Sequence, residues 1–274
     1  MKAKDRCLDW AYAAAWRLIR MLPERLAAAI FRTAADIAVR RDAIGVKRLA
    51  ANLRVVVGSE MPDGEFAVLV RDAMRSYARY WLEAFRLPSL TKQQRLDRYG
   101  FNDFDTIRSN AVPGRGQILV LAHTGNWDAA GAYVTANGLP LTTVAERLKP
   151  EALYRRFVEY RATLGMEIVP LTGGDRATLE LLADRLRAGV VVPLLAERDL
   201  SARGVEVTFF GRRTKMPAGP AILALRTGAP LHVVHNWFEP DRPVGSMSHQ
   251  IVLTDMSGTF GDRVRRLTQM VADE

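Results

Sequence analysis

The chain has 274 residues, of which 49% are hydrophobic and 25% charged, and this composition excludes a mainly disordered protein. Its single cysteine, Cys7, excludes an intrachain disulfide and a cysteine-rich zinc site. The net charge is +9, and residues 1–54 hold twelve Lys and Arg against five Asp and Glu, so that this fifth of the chain carries +7 and the rest +2. Such a basic excess favours an anionic partner, either a membrane surface or a nucleic acid.

The first 57 residues have the pattern of short amphipathic helices. Apolar side chains recur at intervals of three and four residues, at Leu8, Tyr12, Ala15, Ile19 and Leu22. Arg6, Arg17 and Arg20 supply a basic side that suits anionic headgroups. No uncharged stretch predicts a transmembrane helix or a secretory signal. Residues 1–57 are therefore predicted to form a basic amphipathic helical segment that docks on a membrane, and a surface helix packed on the protein's own core is the alternative.

A further helix is predicted over residues 64–85, and beyond Pro113 the pattern changes to alternating strands and helices. Strands are predicted at residues 117–122, 141–144, 167–170, 190–195, 205–210, 231–237 and 250–253. One helix is predicted to begin just after Asn126 and to end at about residue 136. Further helices are predicted at 151–164, 175–187, 217–226 and 262–272. This alternation predicts an α/β fold with a central, largely parallel sheet flanked by helices. No linker divides the chain, so one domain spanning residues 1–274 is predicted.

Ionisable side chains follow two of the strongly apolar strands, at the edge of the sheet where α/β proteins bind ligands. His123 and Asp128 follow the first of these strands, and Glu197 and Arg198 follow the second. Gly125 allows a tight turn, so the Asp128 carboxylate can fold back onto the His123 imidazole. Such a pair makes a general base, although the same two residues can also serve only to cap a helix. His232, His235 and His249 do not have a metal-binding pattern.

The usual signatures of several enzyme classes are missing from the sequence. There is no GxSxG elbow, no GxGxxG after a strand, no Walker A motif and no HExxH. The sequence therefore does not favour a covalent hydrolase, a nucleotide-binding enzyme or a zincin. What remains is a base that acts on a bound hydroxyl, with group transfer from an activated donor.

Five sequence blocks resemble a known family. They are LAHTGNWDAAG at 121–131, VAERLKP at 144–150, RATLGMEIVPLTGG at 161–174, LAERDLS at 195–201 and FFGRRTKMPAGP at 209–220. The first contains the HxxxxD motif of the glycerolipid acyltransferase superfamily, in the branch of the lipid A late acyltransferases. The blocks together are most similar to the phosphatidylinositol mannoside acyltransferases of actinobacteria.

The resemblance implies a peripheral O-acyltransferase at the cytoplasmic face of the inner membrane. Such an enzyme moves a fatty acyl chain, typically palmitoyl, from acyl-CoA to a mannose hydroxyl of a phosphatidylinositol mannoside. His123 would be the general base, Asp128 its partner, and Glu197 a second functional carboxylate that orients the acceptor or the histidine. Arg161 and Glu146 match further site positions. The family implies no metal and no cofactor, with acyl-CoA as co-substrate.

Other side chains are predicted to bind substrate. The turn at residues 124–127, which includes Thr124 and Asn126, is expected to offer backbone donors to a transient oxyanion. Arg198 lies in the matching block beside Glu197. Arg212, Arg213 and Lys215 precede a predicted helix and are expected to contact phosphate of CoA or of the lipid headgroup.

Several alternatives stay open. These are a different glycolipid or lipid A-like acceptor, a thioesterase that uses the same base on water, and a lipid-binding protein without catalysis. A nucleic-acid partner rests on charge alone and is not expected, because no nucleic-acid module is recognisable. The sequence says nothing about the oligomeric state.

Overall fold

The computed structural model describes residues 16–147, 151–172, 177–199 and 204–274. The first fifteen residues of the predicted docking segment, with Leu8, Tyr12, Ala15 and Arg6, lie outside the described residues, as do the ends of three matching blocks. The chain divides into two compact units, one ending at Ser89 and the other beginning at Leu90. Whether the two units act as one domain stays a prediction.

The first unit is helical. Residues 16–21 form a helical turn, and the longer elements are α1 (Glu24–Arg40), α2 (Ile44–Val57), α3 (Asp63–Arg86) and a 3₁₀ turn at Leu87–Ser89. Two hydrogen bonds of 2.7 and 2.8 Å join the Arg75 guanidinium of α3 to the Asp36 carboxylate of α1. This pair lowers the pKa of Asp36 below its usual range. The predicted helical character of the N-terminal segment is confirmed over its described part.

Arg20 does not have the purely headgroup-facing role that the sequence predicts. Its Nε donates a hydrogen bond of 2.8 Å to the carbonyl oxygen of Phe85, and Trp16 Nε1 donates to the same oxygen at 3.0 Å. Carbonyls at the end of a helix lack partners within that helix. Arg20 therefore closes the C-terminal end of α3, and neutralising it would also remove a contact within the fold.

The second unit contains a seven-stranded sheet, a two-stranded hairpin and seven helices among its described residues. The helices are α4 (Lys92–Asp97), α5 (Phe104–Asn110), α6 (Trp127–Ala136), α7 (Glu151–Thr163), α8 (Thr178–Arg187), α9 (Gly219–Thr227) and α10 (Phe260–Asp273). The strands are β1 (Gly100–Phe101), β2 (Gln117–Leu121), β3 (Leu141–Ala145), β4 (Met166–Pro170), β5 (Val191–Leu195), β6 (Val205–Phe209), β7 (Arg212–Met216), β8 (Leu231–Phe238) and β9 (Pro243–Met247).

The sheet order is β1-β9-β8-β2-β5-β3-β4, and every pair is parallel except β8 with β9. The predicted class, a largely parallel sheet flanked by helices, is confirmed. The central strand β2 is buried over its whole length, as expected for a strand covered on both faces. Its even positions, such as Ile118, join the core formed with α8, α9 and α10. Its odd positions, such as Leu119, face the opposite side, where α6 lies.

Near the end of the chain one predicted strand is wrong and one strand was not predicted. The last strand is Pro243–Met247, not residues 250–253, and it pairs antiparallel with β8. The sequence pattern did not indicate this strand because it contains Pro243 and Gly245, which are unusual within strands. Residues 212–216 form β7, the second strand of a hairpin with β6, although four of its five side chains are polar. The following helix begins at Gly219. Over the described ranges, none of the helices has the length and apolar character needed to cross a membrane.

Candidate active site

A tight turn links β2 to α6 and carries His123. The backbone of Gly125 is in the left-handed region, with φ of 53°, which glycine adopts without steric cost. A Cβ atom at Gly125 would lie 2.5 Å from the carbonyl carbon of Asn236 in β8. Only glycine fits at that distance without a shift of backbone. The turn is therefore wedged against β8, and it leaves His123 exposed at the carboxyl edge of the sheet.

The two apolar strands singled out in the sequence are neighbours. Leu121 of β2 pairs in register with Leu195 of β5, so the residues two positions further on, His123 and Glu197, reach the same edge side by side. The distance from His123 Nδ1 to Glu197 Oε1 is 2.5 Å. The Trp127 ring stands edge-on to the imidazole, with 5.0 Å between ring centroids. His123 and Glu197 are thus the pair that the fold assembles.

The environment of Glu197 keeps its carboxylate ionised. Burial acts to raise its pKa, but the hydrogen bond that the carboxylate accepts from His123 and the nearby charge of Arg198 lower it, so the pKa lies below its usual range. The Glu197 side chain is 22% exposed. An ionised carboxylate that accepts from Nδ1–H fixes the tautomer and leaves Nε2 as the proton acceptor. Such an arrangement is chemically able to act as a general base.

The predicted contact between Asp128 and His123 is wrong in this structure. The Asp128 carboxylate instead accepts hydrogen bonds from Arg161 of α7, at 2.8 Å from Nε and 3.4 Å from Nη2. The Asp128 side chain is only 3% exposed and that of Arg161 17%. Asp128 lies in the first turn of α6, and its carboxylate is paired with Arg161. His123 is paired instead with Glu197, which follows the neighbouring strand β5. A catalytic part for Asp128 and a substrate contact for Arg161 stay predictions.

Asn126 does not have the substrate-binding position that the sequence predicts. It is completely buried, and its side-chain oxygen accepts a 2.9 Å hydrogen bond from the N–H of Ala129. Asn126 is the N-cap of α6, a role for which asparagine is strongly preferred. Thr124 is exposed beside His123, but its N–H already donates to the carbonyl of Ala122 at 2.8 Å. That N–H is not the oxyanion donor expected from the turn.

Glu146 and Arg198 are both exposed at the same edge of the sheet. Glu146 directly follows β3, and Arg198 Nε lies 3.9 Å from Glu197 Oε1 with the Arg198 side chain 61% exposed. Both side chains are open to a ligand, and their substrate contacts stay predictions.

The predicted basic cluster is arranged differently from the expectation. Arg212, Arg213 and Lys215 lie on β7 rather than directly before a helix. Since side chains alternate along a strand, Arg212 points away from the face that carries Arg213 and Lys215. Arg213 also pairs with Glu206 of β6 at 2.6 Å. The three cations therefore do not converge on a helix N-terminus, and a contact with phosphate stays a prediction for each of them.

An apolar cavity that the sequence analysis did not predict lies between α6 and the sheet. Its empty volume is about 610 Å³, including its open mouth. Its walls are Phe101, Leu119, Leu121, Trp127, Asp128, Ala130, Gly131, Val134, Leu141, Thr143, Val144, Arg161, Met166, Pro193, Leu195 and Val234. Leu119 and Leu121 of β2 were the available signal, because they are as apolar as Ile118 and Val120, which build the core on the other face. Trp127 joins the cavity to His123, since its ring touches both.

No metal-binding cluster is found in the part of the chain that the structure describes, where no three His, Cys, Asp or Glu side chains come together as a cation would need. The expectation that neither a metal nor a cofactor takes part stays a prediction.

Comparison with known proteins defines the class of enzyme. The family model for bacterial lipid A biosynthesis acyltransferases matches residues 1–274. The chain belongs to this family and is therefore an acyltransferase, as the sequence blocks predict. Among its relatives are the phosphatidylinositol mannoside acyltransferase of Mycolicibacterium smegmatis, 47% identical over 97% of this chain and 84% of that protein, and that of Mycobacterium tuberculosis strain H37Rv, 44% identical over 97% and 82%.

A solved structure also matches. It is the crystal structure of the 1-acyl-sn-glycerophosphate (LPA) acyltransferase PlsC from Thermotoga maritima, with 15% identity and a TM-score of 0.39 over 91% of this chain and 95% of that one.

Proposed function

We propose that this acyltransferase moves a fatty acyl chain, typically palmitoyl, from acyl-CoA to a mannose hydroxyl of a phosphatidylinositol mannoside. The observation that carries the proposal is the 2.5 Å contact between His123 Nδ1 and Glu197 Oε1 at the carboxyl edge of the sheet. The acceptor is supported by two relatives at 44–47% identity, both named phosphatidylinositol mannoside acyltransferase. No metal or cofactor is part of the proposal, and acyl-CoA is the co-substrate.

In the proposed step, His123 Nε2 takes the proton of the acceptor hydroxyl. The hydroxyl oxygen then bonds to the thioester carbonyl carbon, and the tetrahedral intermediate collapses with cleavage of the carbon–sulfur bond. The imidazolium returns its proton to the leaving thiolate, so the products are an ester and free CoA. Glu197 stabilises the imidazolium and remains ionised throughout. General base catalysis of this kind supplies about 10² to 10⁴-fold.

The apolar cavity supports a lipid chain as the transferred group. The cavity lies next to the turn that carries His123, and most of its walls are aliphatic or aromatic. An acyl chain bound in it would be shielded from water. Each methylene group that leaves water contributes about 0.8 kcal/mol. An acyl chain bound there would come close to His123 past Trp127.

We also propose that the protein is peripheral and docks on an anionic membrane through residues 1–57, at the cytoplasmic face of the inner membrane. On α1, Leu26, Ile30 and Ile37 are 50%, 48% and 41% exposed, and they share one side of the helix because they are spaced by four and seven residues. The buried side of the helix holds Ala27 and Ala35, which are 1% and 4% exposed. An exposed apolar stripe within a basic segment suits the interface of an anionic bilayer.

The test is an acyl-transfer assay with purified protein, palmitoyl-CoA and phosphatidylinositol mannoside in anionic vesicles. Acylated lipid is measured by mass spectrometry and free CoA by thiol release, with and without the acceptor. His123→Ala is compared with His235→Ala, a matched control because His235 is an exposed histidine of β8. We expect lipid product and CoA in equal amounts, a loss of at least about 10²-fold in His123→Ala, and unchanged activity in His235→Ala.

Four results would overturn the proposal. CoA released at the same rate without acceptor indicates a thioesterase. Transfer to a different glycolipid in preference to the mannoside changes the acceptor. Normal transfer by His123→Ala would show that His123 is not the general base. Lipid binding without any turnover would show that the protein is not a catalyst.

A further inference from the structure

Three neighbouring strands bring three polar residues to one level at the carboxyl edge. Leu121 of β2 pairs with Leu195 of β5 on one side and with Val234 of β8 on the other. Two residues beyond each of these lie His123, Glu197 and, on β8, Asn236. Glu197 holds the imidazole from the β5 side. Asn236 occupies the equivalent position on the β8 side, where the sequence analysis predicted no functional residue.

Asn236 supports the turn that carries His123. The missing Cβ of Gly125 would lie 2.5 Å from the carbonyl carbon and 2.7 Å from the Cβ of Asn236. The turn thus rests directly on Asn236, without room for a side chain between them. Any shift of Asn236 must move the turn, and with it the imidazole.

Tyr99 in turn holds the side chain of Asn236. The Tyr99 hydroxyl donates a 2.7 Å hydrogen bond to Asn236 Oδ1, and the two residues are only 3% and 4% exposed. The hydroxyl reaches this oxygen across Gly245 of β9. A Cβ atom added at Gly245 would lie 2.3 Å from the Tyr99 hydroxyl oxygen. Burial raises the pKa of Tyr99, so its hydroxyl stays protonated and remains a donor.

Tyr99 also contacts the helix on the other side of the turn. Its ring lies 5.4 Å from that of Tyr133, centroid to centroid, and Tyr133 belongs to α6, which begins where the turn ends. Tyr99 therefore joins α6 and β8, the two elements between which the His123 turn is held.

We propose that Tyr99 and Asn236 are positioning residues that hold the His123 turn at the distance from Glu197 needed for catalysis. The proposal rests on the function proposed above. Neither residue touches substrate in this account. They act through Gly125 on the place of the imidazole, and a displacement of about 1 Å at a reacting group costs about 10²-fold in rate.

The experiment compares Tyr99→Phe, the double variant Tyr99→Phe/Asn236→Leu, and Thr268→Val as control. Thr268 is buried, and its hydroxyl donates a 2.7 Å hydrogen bond to the carbonyl of Val264 within α10, so its loss reports the general effect of removing a buried hydroxyl. Each protein is assayed for kcat and KM with palmitoyl-CoA and for unfolding in urea. A second readout is independent of turnover: the low-field proton resonance of the His123 Nδ1–Glu197 hydrogen bond, in protein with ¹⁵N-labelled histidine.

We expect kcat to fall by about tenfold in Tyr99→Phe with KM unchanged, and the low-field resonance to shift or broaden. The double variant replaces both partners by apolar groups of similar shape, so we expect it to recover stability while its kcat stays low. Thr268→Val keeps both kcat and the resonance.

The inference is overturned if Tyr99→Phe matches Thr268→Val in both readouts, or if kcat returns together with stability in the double variant, because the role would then be structural only. Failure of the proposed function looks different. In that case the wild type makes no acylated mannoside or His123→Ala retains activity, and the resonance alone decides whether Tyr99 positions His123.

Discussion

The buried pair formed by Asp128 and Arg161 gives a prediction with a large expected effect. Its shorter hydrogen bond is 2.8 Å, and the two side chains are 3% and 17% exposed. Removing one partner of a buried ion pair costs up to about 3–5 kcal/mol, because the remaining charge stays buried and loses this counterion. Whole domains are stable by about 5–15 kcal/mol, so Asp128→Asn should lose a substantial share of the stability.

The measurement is urea unfolding followed by tryptophan fluorescence. At a slope of about 3 kcal/mol/M, a loss of 3 kcal/mol lowers the midpoint by about 1 M. Glu206→Gln is the control, since Glu206 pairs with Arg213 where both side chains are more than 60% exposed, and an exposed pair contributes at most about 1 kcal/mol. In Asp128→Leu/Arg161→Met, apolar side chains replace both charges beside the apolar cavity, and part of the loss should return.

The reasoning is refuted if Asp128→Asn unfolds at the wild-type midpoint. If kcat per folded molecule then collapses, Asp128 acts as the partner of the histidine that the sequence predicts, and not as the counterion of Arg161.

Three further results are expected. Asn126→Ala should lower the free energy of unfolding by about 1–2 kcal/mol, since it removes the cap of α6, and thermal or urea unfolding measures this; an unchanged stability contradicts the assignment as a cap. Because the pKa of Glu197 is lowered in the folded protein, its contribution to stability is present above the unfolded value of about 4.3 and is lost as the pH falls through the folded pKa. Glu197→Gln should therefore lack this part of the loss of stability in acid. The free energy of unfolding of both proteins is measured as the pH is lowered, and the same pH dependence in the two proteins would contradict the prediction. Leu26→Asp/Ile30→Asp should weaken binding to anionic vesicles by about tenfold or more, whereas Val252→Asp, at an exposed position of the second unit, should not; equal binding in a vesicle sedimentation assay removes α1 from the docking surface.

The fold class and the place of His123 just after a buried strand were predictable from local pattern, because the periodicities of strands and helices and the polar residues that follow each strand can be read directly from the sequence. The partner of His123 was not predictable from that pattern, and Glu197 entered only through the family resemblance, as a carboxylate that orients the acceptor or the histidine. Asp128 is five residues away and looked suitable, whereas Glu197 is 74 positions away and becomes a neighbour only because β2 lies next to β5. Strand order is a property of the whole sheet, and hydrophobic periodicity does not encode it.

Two other features escaped prediction for local reasons. The strand β7 carries Arg212, Arg213 and Lys215 because it lies in an exposed hairpin, so its pairing with β6 overrides its polar composition. Asn126 matched a conspicuous block, and residue type alone does not separate a helix cap from a substrate ligand. Its complete burial does.

The measurement that tests the central claim most directly is a double-mutant comparison of kcat for acyl transfer. We predict that His123→Ala and Glu197→Gln each lower kcat by about 10² to 10⁴-fold, and that the double variant is no slower than His123→Ala alone, because the two side chains act as one unit. Losses that multiply in the double variant would contradict the account, since Glu197 would then act independently of His123.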